Sequence, residues 1–320
     1  MSTSPFLESI RHVLRTKHYS IQTEKAYLTW IKRFILYHNK RHPEEMGEQE
    51  VSQFLSYLAV QRKVTASTQN LALCSIVFMY KHIFTRELTL LDDTVRAKAP
   101  KRVPVVLSNN EAITIIDLLK PPYQLMFSIL YGCGLRKAEL LRLRVKDIDF
   151  ESNSIFVFRG KGGKDRMTML PISLIDLLKA QVSLVAAIHK KDLAEGEGKT
   201  SLPAGLARKY PYAITELKWQ YVFPSRNRCQ HPVDGYFCRH HLHWTALTKV
   251  LREAVRASGI MKHVTAHTFR HTFATQLLLS GSDIRAVQEL LGHNDLRTTQ
   301  IYTHVIGQHS SGTMSPIDRK

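Results

Sequence analysis

Cysteine is scarce, with four in 320 residues: Cys74, Cys133, Cys229 and Cys238. They are too few and too scattered for a disulfide framework, so a reducing compartment is expected. The N-terminus, Met1 to Phe6, lacks the charged-then-apolar pattern of an export signal. No stretch reads as a membrane span. Leu174 to Ile188 comes nearest, but Asp176, Lys179 and Gln181 interrupt it. The expectation is a cytoplasmic protein with no membrane partner. Repeats and low-complexity tracts are missing, as is any carboxylate cluster of the two-metal kind. Acidic charge is also short: 27 Asp+Glu face 45 Lys+Arg, a formal net charge of +18. A chain this basic has polyanions as its first expected partners, nucleic acid ahead of anionic membrane.

Hydrophobic residues make up 44% of the chain, enough for sizeable cores, and its length suits two domains. The first part reads as helix only. Leu7 to Leu14 forms a short helix. Ser20 caps a second, with Tyr27, Trp30, Ile31, Phe34 and Ile35 on its apolar face. Gly47 precedes a third carrying Val51, Phe54, Leu55 and Leu58. A fourth runs from about Ser67 with Leu71, Leu73, Val77, Tyr80 and Phe84. Four amphipathic helices without strands predict a small bundle over residues 1–95. Residues 96–107 then read as a basic, proline-broken linker whose Lys98, Lys101 and Arg102 are placed to track phosphates.

The box Ser108-Asn109-Asn110-Glu111 opens a second domain, predicted over 108–306, ahead of Ile113, Ile116 and Leu119. Short strands are expected at Ile148 to Phe150, Ser154 to Phe158 and Arg166 to Leu170, parted by turn residues. The remainder is mostly helical, except for Gly196 to His243, which has no clean period. The fold class is thus mainly α with a small antiparallel sheet. Residues 307–320 form a tail with Gly, Ser and Pro.

Chemistry concentrates in a few places. His267 and Arg270 stand at i and i+3, so a helix would aim both at one spot. Imidazole and guanidinium together can hold a phosphate. In Leu291-Gly292-His293, Gly292 suits a helix C-terminus and His293 projects past it. Tyr302 follows, a phenol that needs nearby cations to become a nucleophile. Upstream, Gly132-Cys133-Gly134-Leu135-Arg136 places Arg136 at a helix start. Gly160-Lys161-Gly162 puts a lysine at a hairpin tip, where it can serve as a flexible general acid. Lys164 is its rival in the same turn. Each motif alone also arises on ordinary surfaces.

Taken in order, Arg136, Lys161, His267-x-x-Arg270, Leu291-Gly292-His293 and Tyr302 resemble the catalytic set of the tyrosine recombinases. The helical first domain resembles their core-binding domain. A second resemblance narrows the group. Ala207 to Pro211, Trp219 to Ser225 and Arg239-His240-His241 look like the insertion that marks integron integrases, here about 190–243. The resemblance implies a recombinase that integrates and excises gene cassettes. Tyr302 would form a 3′-phosphotyrosyl link, Arg136 and Arg270 would clamp the phosphate, and Lys161 would protonate the leaving 5′-oxygen. His267 would take the tyrosine proton and His293 would bond the phosphate. Because the bond energy stays in the ester, no cofactor or metal is implied. The implied partners are duplex attachment sites and folded single-stranded cassette sites, held by a homo-tetramer whose two domains clamp DNA.

In the insertion, extrahelical bases would stack on Trp219, with Pro232, His240 and His241 as further flat surfaces and Arg239 as a phosphate contact. Other readings are a recombinase acting on duplex sites only, a type IB topoisomerase, or an accessory DNA-binding protein with a broken site. A zinc module at Cys229-x-His231 and Cys238-x-His240 is another.

Overall fold

A computed structural model describes residues 4–88, 103–158, 164–202, 204–231 and 234–310, with the backbone alone at 204 and 304–310. Lys98, Lys101, Arg102, Lys161 and Pro232 lie outside the described residues, as does the tail from 311. The chain divides into two compact units between residues 102 and 103.

The first unit holds α1 (Pro5–Thr16), α2 (Ile21–Tyr37), α3 (Glu48–Val60) and α4 (Ala66–Ile83). Their starts follow from local chemistry. Ser20 and Thr65 accept from the backbone N–H of Thr23 and Thr68, and the Glu50 carboxylate accepts from Gly47 N. Trp30, Ile31, Phe34, Phe54, Leu55, Leu58, Ile76 and Met79 close a common core. Burying each such large side chain contributes roughly 1.5–3 kcal/mol. The Tyr80 hydroxyl, buried in that core, donates to Pro43 O at 2.8 Å. Leu71, expected on the apolar face, is instead 39% exposed.

The second unit opens with α5 (Asn109–Asp117), α6 (Tyr123–Cys133) and α7 (Lys137–Arg142). The box at α5 forms: Glu111 N donates to Ser108 Oγ and Ser108 N to the Glu111 carboxylate. Ile113, however, faces solvent. Leu107, read as the end of the linker, is buried in this unit, with its N–H on Thr272 Oγ1 at 3.1 Å. Strands β1 (Ile148–Asp149), β2 (Ser154–Val157) and β3 (Arg166–Met169) form one antiparallel sheet in sequence order. Ile155 pairs with Ile148 and Thr168, and Val157 pairs with Arg166. Alternation turns Ile155, Val157 and Thr168 inward and Phe156 and Met167 outward.

Next come α8 (Ile175–Ala194), α9 (Ala204–Lys209), β4 (Cys229–Gln230), β5 (Phe237–Cys238) and α10 (Trp244–Ala257). Ile172–Ala194 is long and apolar enough to cross a membrane by length and composition. In this fold its Leu178 and Val185 are buried, and its His189 and Asp192 bond within the unit. The last described elements are α11 (Ala266–Leu279), α12 (Ile284–Leu291) and α13 (Leu296–Ser310). Helix α11 is central. Its Phe269 meets Phe127 of α6, with ring centroids 5.2 Å apart, while Phe273, Val287, Leu291 and Tyr302 gather α11, α12 and α13.

Candidate active site

Three chain segments converge on α11. Arg136 stands just before α7, and its Nη1 donates to Glu139 Oε1 at 2.7 Å. Its Nη2 reaches Gly292 O at 3.3 Å. Arg270, buried on α11, donates from Nη1 to Gly134 O at 2.7 Å and from Nη2 to Leu291 O at 2.5 Å. The two guanidinium groups therefore end on consecutive carbonyls, directly before His293. Gly292 makes this possible: at φ 62° it caps α12 in the left-handed region and turns the chain. His293 Nδ1 then pairs with Thr299 Oγ1 at 3.0 Å, and its ring lies 6.3 Å from that of Tyr302 at an angle of 18°.

Tyr302 is 2% exposed on α13. Its hydroxyl is bonded to His271 Nδ1 at 2.9 Å. Sequence reasoning assigned that proton to His267. His267 shares the face with Arg270 as expected, but its exposed ring sits 6.3 Å from the His271 ring, and the bond to the hydroxyl is made by His271. The reason is helical spacing. Residue 271 is one turn beyond 267 and lies over α13, where Tyr302 is buried.

Electrostatics set the resting state. Burial, then the neighbouring charges of Arg270 and Arg136, brings His293 down to about 3. Burial, then His267 and Arg270, brings His271 down to about 4. Both rings are neutral at pH 7. Burial pushes the Tyr302 phenol above its usual value, against the pull of Arg270 and Arg136. Burial and the charge of Arg136 lower Arg270 to about 9, so it stays protonated. Burial alone would raise Glu139. Hydrogen bonds and charge from Arg166 and Arg136 hold it at about 2 instead, so it is ionised.

The insertion holds the other candidates. Trp219 is half-buried, with Lys146 Nζ 4.7 Å from its ring centre. His240 and His241 are half-buried with rings 4.0 Å apart. His240 Nδ1 pairs with Ser201 Oγ at 2.7 Å, and His241 Nδ1 with Leu242 O at 2.7 Å. Tyr221 is a core residue, 5% exposed, joined to Ser201 and Arg144. Arg239 is not placed to meet a phosphate. It grips Asp192 through Nε at 2.5 Å and Nη2 at 2.7 Å, and its Nη1 donates to Ser225 O and Arg226 O. Cys229 and Cys238 face each other across the β4–β5 ladder, and both are free thiols. Among the described residues, no three His, Cys, Asp or Glu gather as a metal site, which counts against the zinc module.

Residues 106–309 match the model of the phage integrase family, and residues 6–90 match that of the phage integrase N-terminal SAM-like domain. The chain belongs to the phage integrase family, the tyrosine recombinases. Proteins called Integrase/recombinase in Escherichia coli and in Pseudomonas aeruginosa are each 44% identical to it over 312 residues, covering 98% of this chain and 93% of theirs. Tyrosine recombinase XerA of Thermococcus onnurineus is 32% identical over 280 residues, covering 87% of this chain and 85% of that protein. In fold, the chain resembles the XerH site-specific recombinase bound to palindromic difH substrate in a post-cleavage complex. That likeness has a TM-score of 0.63 and 22% identity, over 94% of this chain and 81% of that one. It also resembles a lambda integrase(75–356) dimer bound to a COC′ core site, with a TM-score of 0.63, 16% identity and full coverage of both chains. The protein is a site-specific DNA recombinase.

Three residues of this candidate site escaped sequence reasoning: Glu139, Arg166 and His271. Glu139 had a local signal, an acid three residues after Arg136 at a helix start. His271 had a weaker one, a second histidine at i+4 from His267. Arg166 had none, since its partner Glu139 lies 27 residues away.

Proposed function

We propose that the recombinase is an integron integrase that cleaves with Tyr302 and exchanges strands through a 3′-phosphotyrosyl intermediate. The observation that carries the chemistry is the convergence of Arg136, Arg270, His271 and His293 on the Tyr302 hydroxyl and the adjacent turn. Tyr302 attacks the scissile phosphate in line, forming the Tyr–phosphate bond and releasing a 5′-hydroxyl. Arg136 and Arg270 stabilise the charge that develops on the non-bridging oxygens. His293 adds a hydrogen bond, and Lys161 gives its proton to the departing 5′-oxygen. His271 accepts the phenol proton, with His267 alongside as a second imidazole. The ester keeps the bond energy, so a partner 5′-hydroxyl reverses the step without a cofactor. Strand exchange joins two duplexes and four such sites, so the working assembly is a homo-tetramer on DNA. The helical unit at 1–95, the basic linker at 96–107 and the catalytic unit at 108–306 each contact that DNA.

The insertion directs this chemistry to folded single-stranded cassette sites as well as duplex attachment sites. Trp219, His240 and His241 offer ring surfaces whose orientation is fixed by hydrogen bonds and a flanking cation. An extruded base stacking on such a ring gains about 1–3 kcal/mol with little base preference. Two measurements test the proposal. Tyr302→Phe should abolish covalent complexes on both substrates while leaving DNA affinity near wild type; a surviving adduct would exclude Tyr302 as the nucleophile. Trp219→Ala and the double variant His240→Ala/His241→Ala should weaken binding to the folded single-stranded site far more than to duplex. Equal weakening on both substrates would make the insertion structural and leave a duplex recombinase.

A further inference from the structure

Glu139 is a buried carboxylate among three guanidinium groups, and each of its oxygens accepts two hydrogen bonds. Oε1 accepts from Arg136 Nη1 at 2.7 Å and from Arg166 Nη1 at 3.0 Å. Oε2 accepts from Arg136 N at 2.9 Å and from Arg166 Nη2 at 2.7 Å, with Arg270 Nη1 3.9 Å away. Arg166 alone meets it fork to fork, the strongest geometry such a pair can take. Its third donor, Nε, is spent on Leu290 O at 2.8 Å. Its stem lies against the left-handed turn, where a β-carbon on Gly292 would fall 2.7 Å from Arg166 Cδ. The Arg166 side chain is 8% exposed, and each of its three nitrogens donates within the fold.

We propose that Arg166 is a positioning residue for the phosphate clamp, neutralising Glu139 so that Arg136 and Arg270 remain available to the scissile phosphate. A carboxylate beside a phosphate site has two harmful effects: it repels the phosphate, and it competes for the same guanidinium donors. The fork from Arg166 offsets that charge, leaving Glu139 one side-chain hydrogen bond to Arg136 and none to Arg270. It also leaves Glu139 as a bridge between Arg136 at α7 and the first residue of β3. The same side chain, through Leu290 O and Gly292, fixes the turn that presents His293. The ionised state of Glu139 fits this arrangement. Without Arg166, a buried negative charge would draw Arg136 and Arg270 inward, away from DNA.

The inference rests on the covalent chemistry proposed above, and the test separates the two. Single-turnover formation of the covalent complex is measured on a nicked duplex site, together with DNA affinity and thermal unfolding. The variants are Arg166→Gln, Arg166→Lys, Glu139→Gln and the double variant Arg166→Gln/Glu139→Gln. Arg166→Gln is expected to slow covalent-complex formation about 10²-fold, the scale of a small misplacement of catalytic groups, with DNA affinity near wild type. Arg166→Lys keeps the charge without the fork and falls between. The double variant should be faster than Arg166→Gln alone, because the unopposed carboxylate is gone; a merely structural arginine would give losses that add or deepen. If Arg166→Gln does not fold, Arg166→Lys with and without Glu139→Gln decides in the same way. Wild-type rates in the Arg166 variants, no relief in the double variant, or a slowdown that follows DNA affinity would each overturn the inference while leaving the chemistry intact. Absence of any Tyr302-dependent adduct in the wild-type protein would overturn both.

Discussion

At neutral pH, Tyr302 and His271 form an uncharged pair in which the proton rests on the phenol. The imidazole is too weak a base in the free protein to take it, because burial and the nearby cations oppose a second positive charge. An incoming phosphate changes that balance: its negative charge favours the imidazolium, and its non-bridging oxygens draw off the fields of Arg136 and Arg270. In the proposed chemistry, the site is thus poised to activate Tyr302 when DNA fills it. His271→Ala should slow covalent-complex formation by about 10²-fold or more, as loss of a general base does, with DNA affinity nearly unchanged. His267→Ala should cost less. Single-turnover rates for the two variants check this, and the reverse order would return the proton to His267. Arg136, Arg270, His293 and Tyr302 were legible in the sequence because each sits in a short motif whose spacing implies a helix face or a helix end. Their supports were not. Arg166 on β3 reaches Glu139 on α7 across 27 residues, and His271 meets Tyr302 across 31, so only the tertiary fold brings these pairs together.

Among elements, the α6–α7 corner does the most positioning for its length. Gly134 ends α6 at φ 63°, and its carbonyl holds Arg270 while the chain turns to present Arg136. A β-carbon there would stand 2.4 Å from the Phe273 ring. Gly134→Ala combines left-handed strain with a core clash, and should lower stability by about 2–5 kcal/mol. Urea unfolding measures this, and a loss below roughly 1 kcal/mol would mean that Phe273 yields easily. Cleavage should suffer beyond the stability loss, since the Arg270 anchor moves. The helices of both units were readable because periodicity, caps and boxes agree in them. The insertion was not. Its strands are two residues long, its helix α9 spans six, and 3₁₀ turns at Pro211–Thr215 and Leu217–Trp219 fill the gaps. Such pieces are too short to show a period. Arg144 and Arg239 hold them by hydrogen bonds to distant carbonyls, which no local pattern announces.

For the molecule as a whole, a formal charge of +18 coexists with several histidines kept neutral. His240 and His271 are held at about 4 and His293 at about 3, with burial the largest cause in each. An unfolded chain protonates these side chains near the ordinary value of 6.5. Between that value and the folded values the unfolded state binds more protons, so stability rises with pH and falls on acidification. The loss begins as pH drops below about 6.5 and runs on toward 4 and 3, at roughly 1.4 kcal/mol per pH unit for each histidine titrating fully only when unfolded. Glu139 acts later. Its folded value of about 2 lies below the ordinary 4.5, so its contribution is lost only as pH falls through that lower window. Urea unfolding at several pH values from 7.5 to 5 should therefore show a steep decline well above the carboxylate range. The double variant His271→Asn/His293→Asn removes two of the three groups and should flatten the slope, whatever it does to cleavage. A wild-type stability that stays level from pH 7.5 to 5 would show that these rings are not held neutral in the folded protein. His271 would then be a stronger base in the free protein than its burial implies, and the phenol proton would not need an incoming phosphate to move.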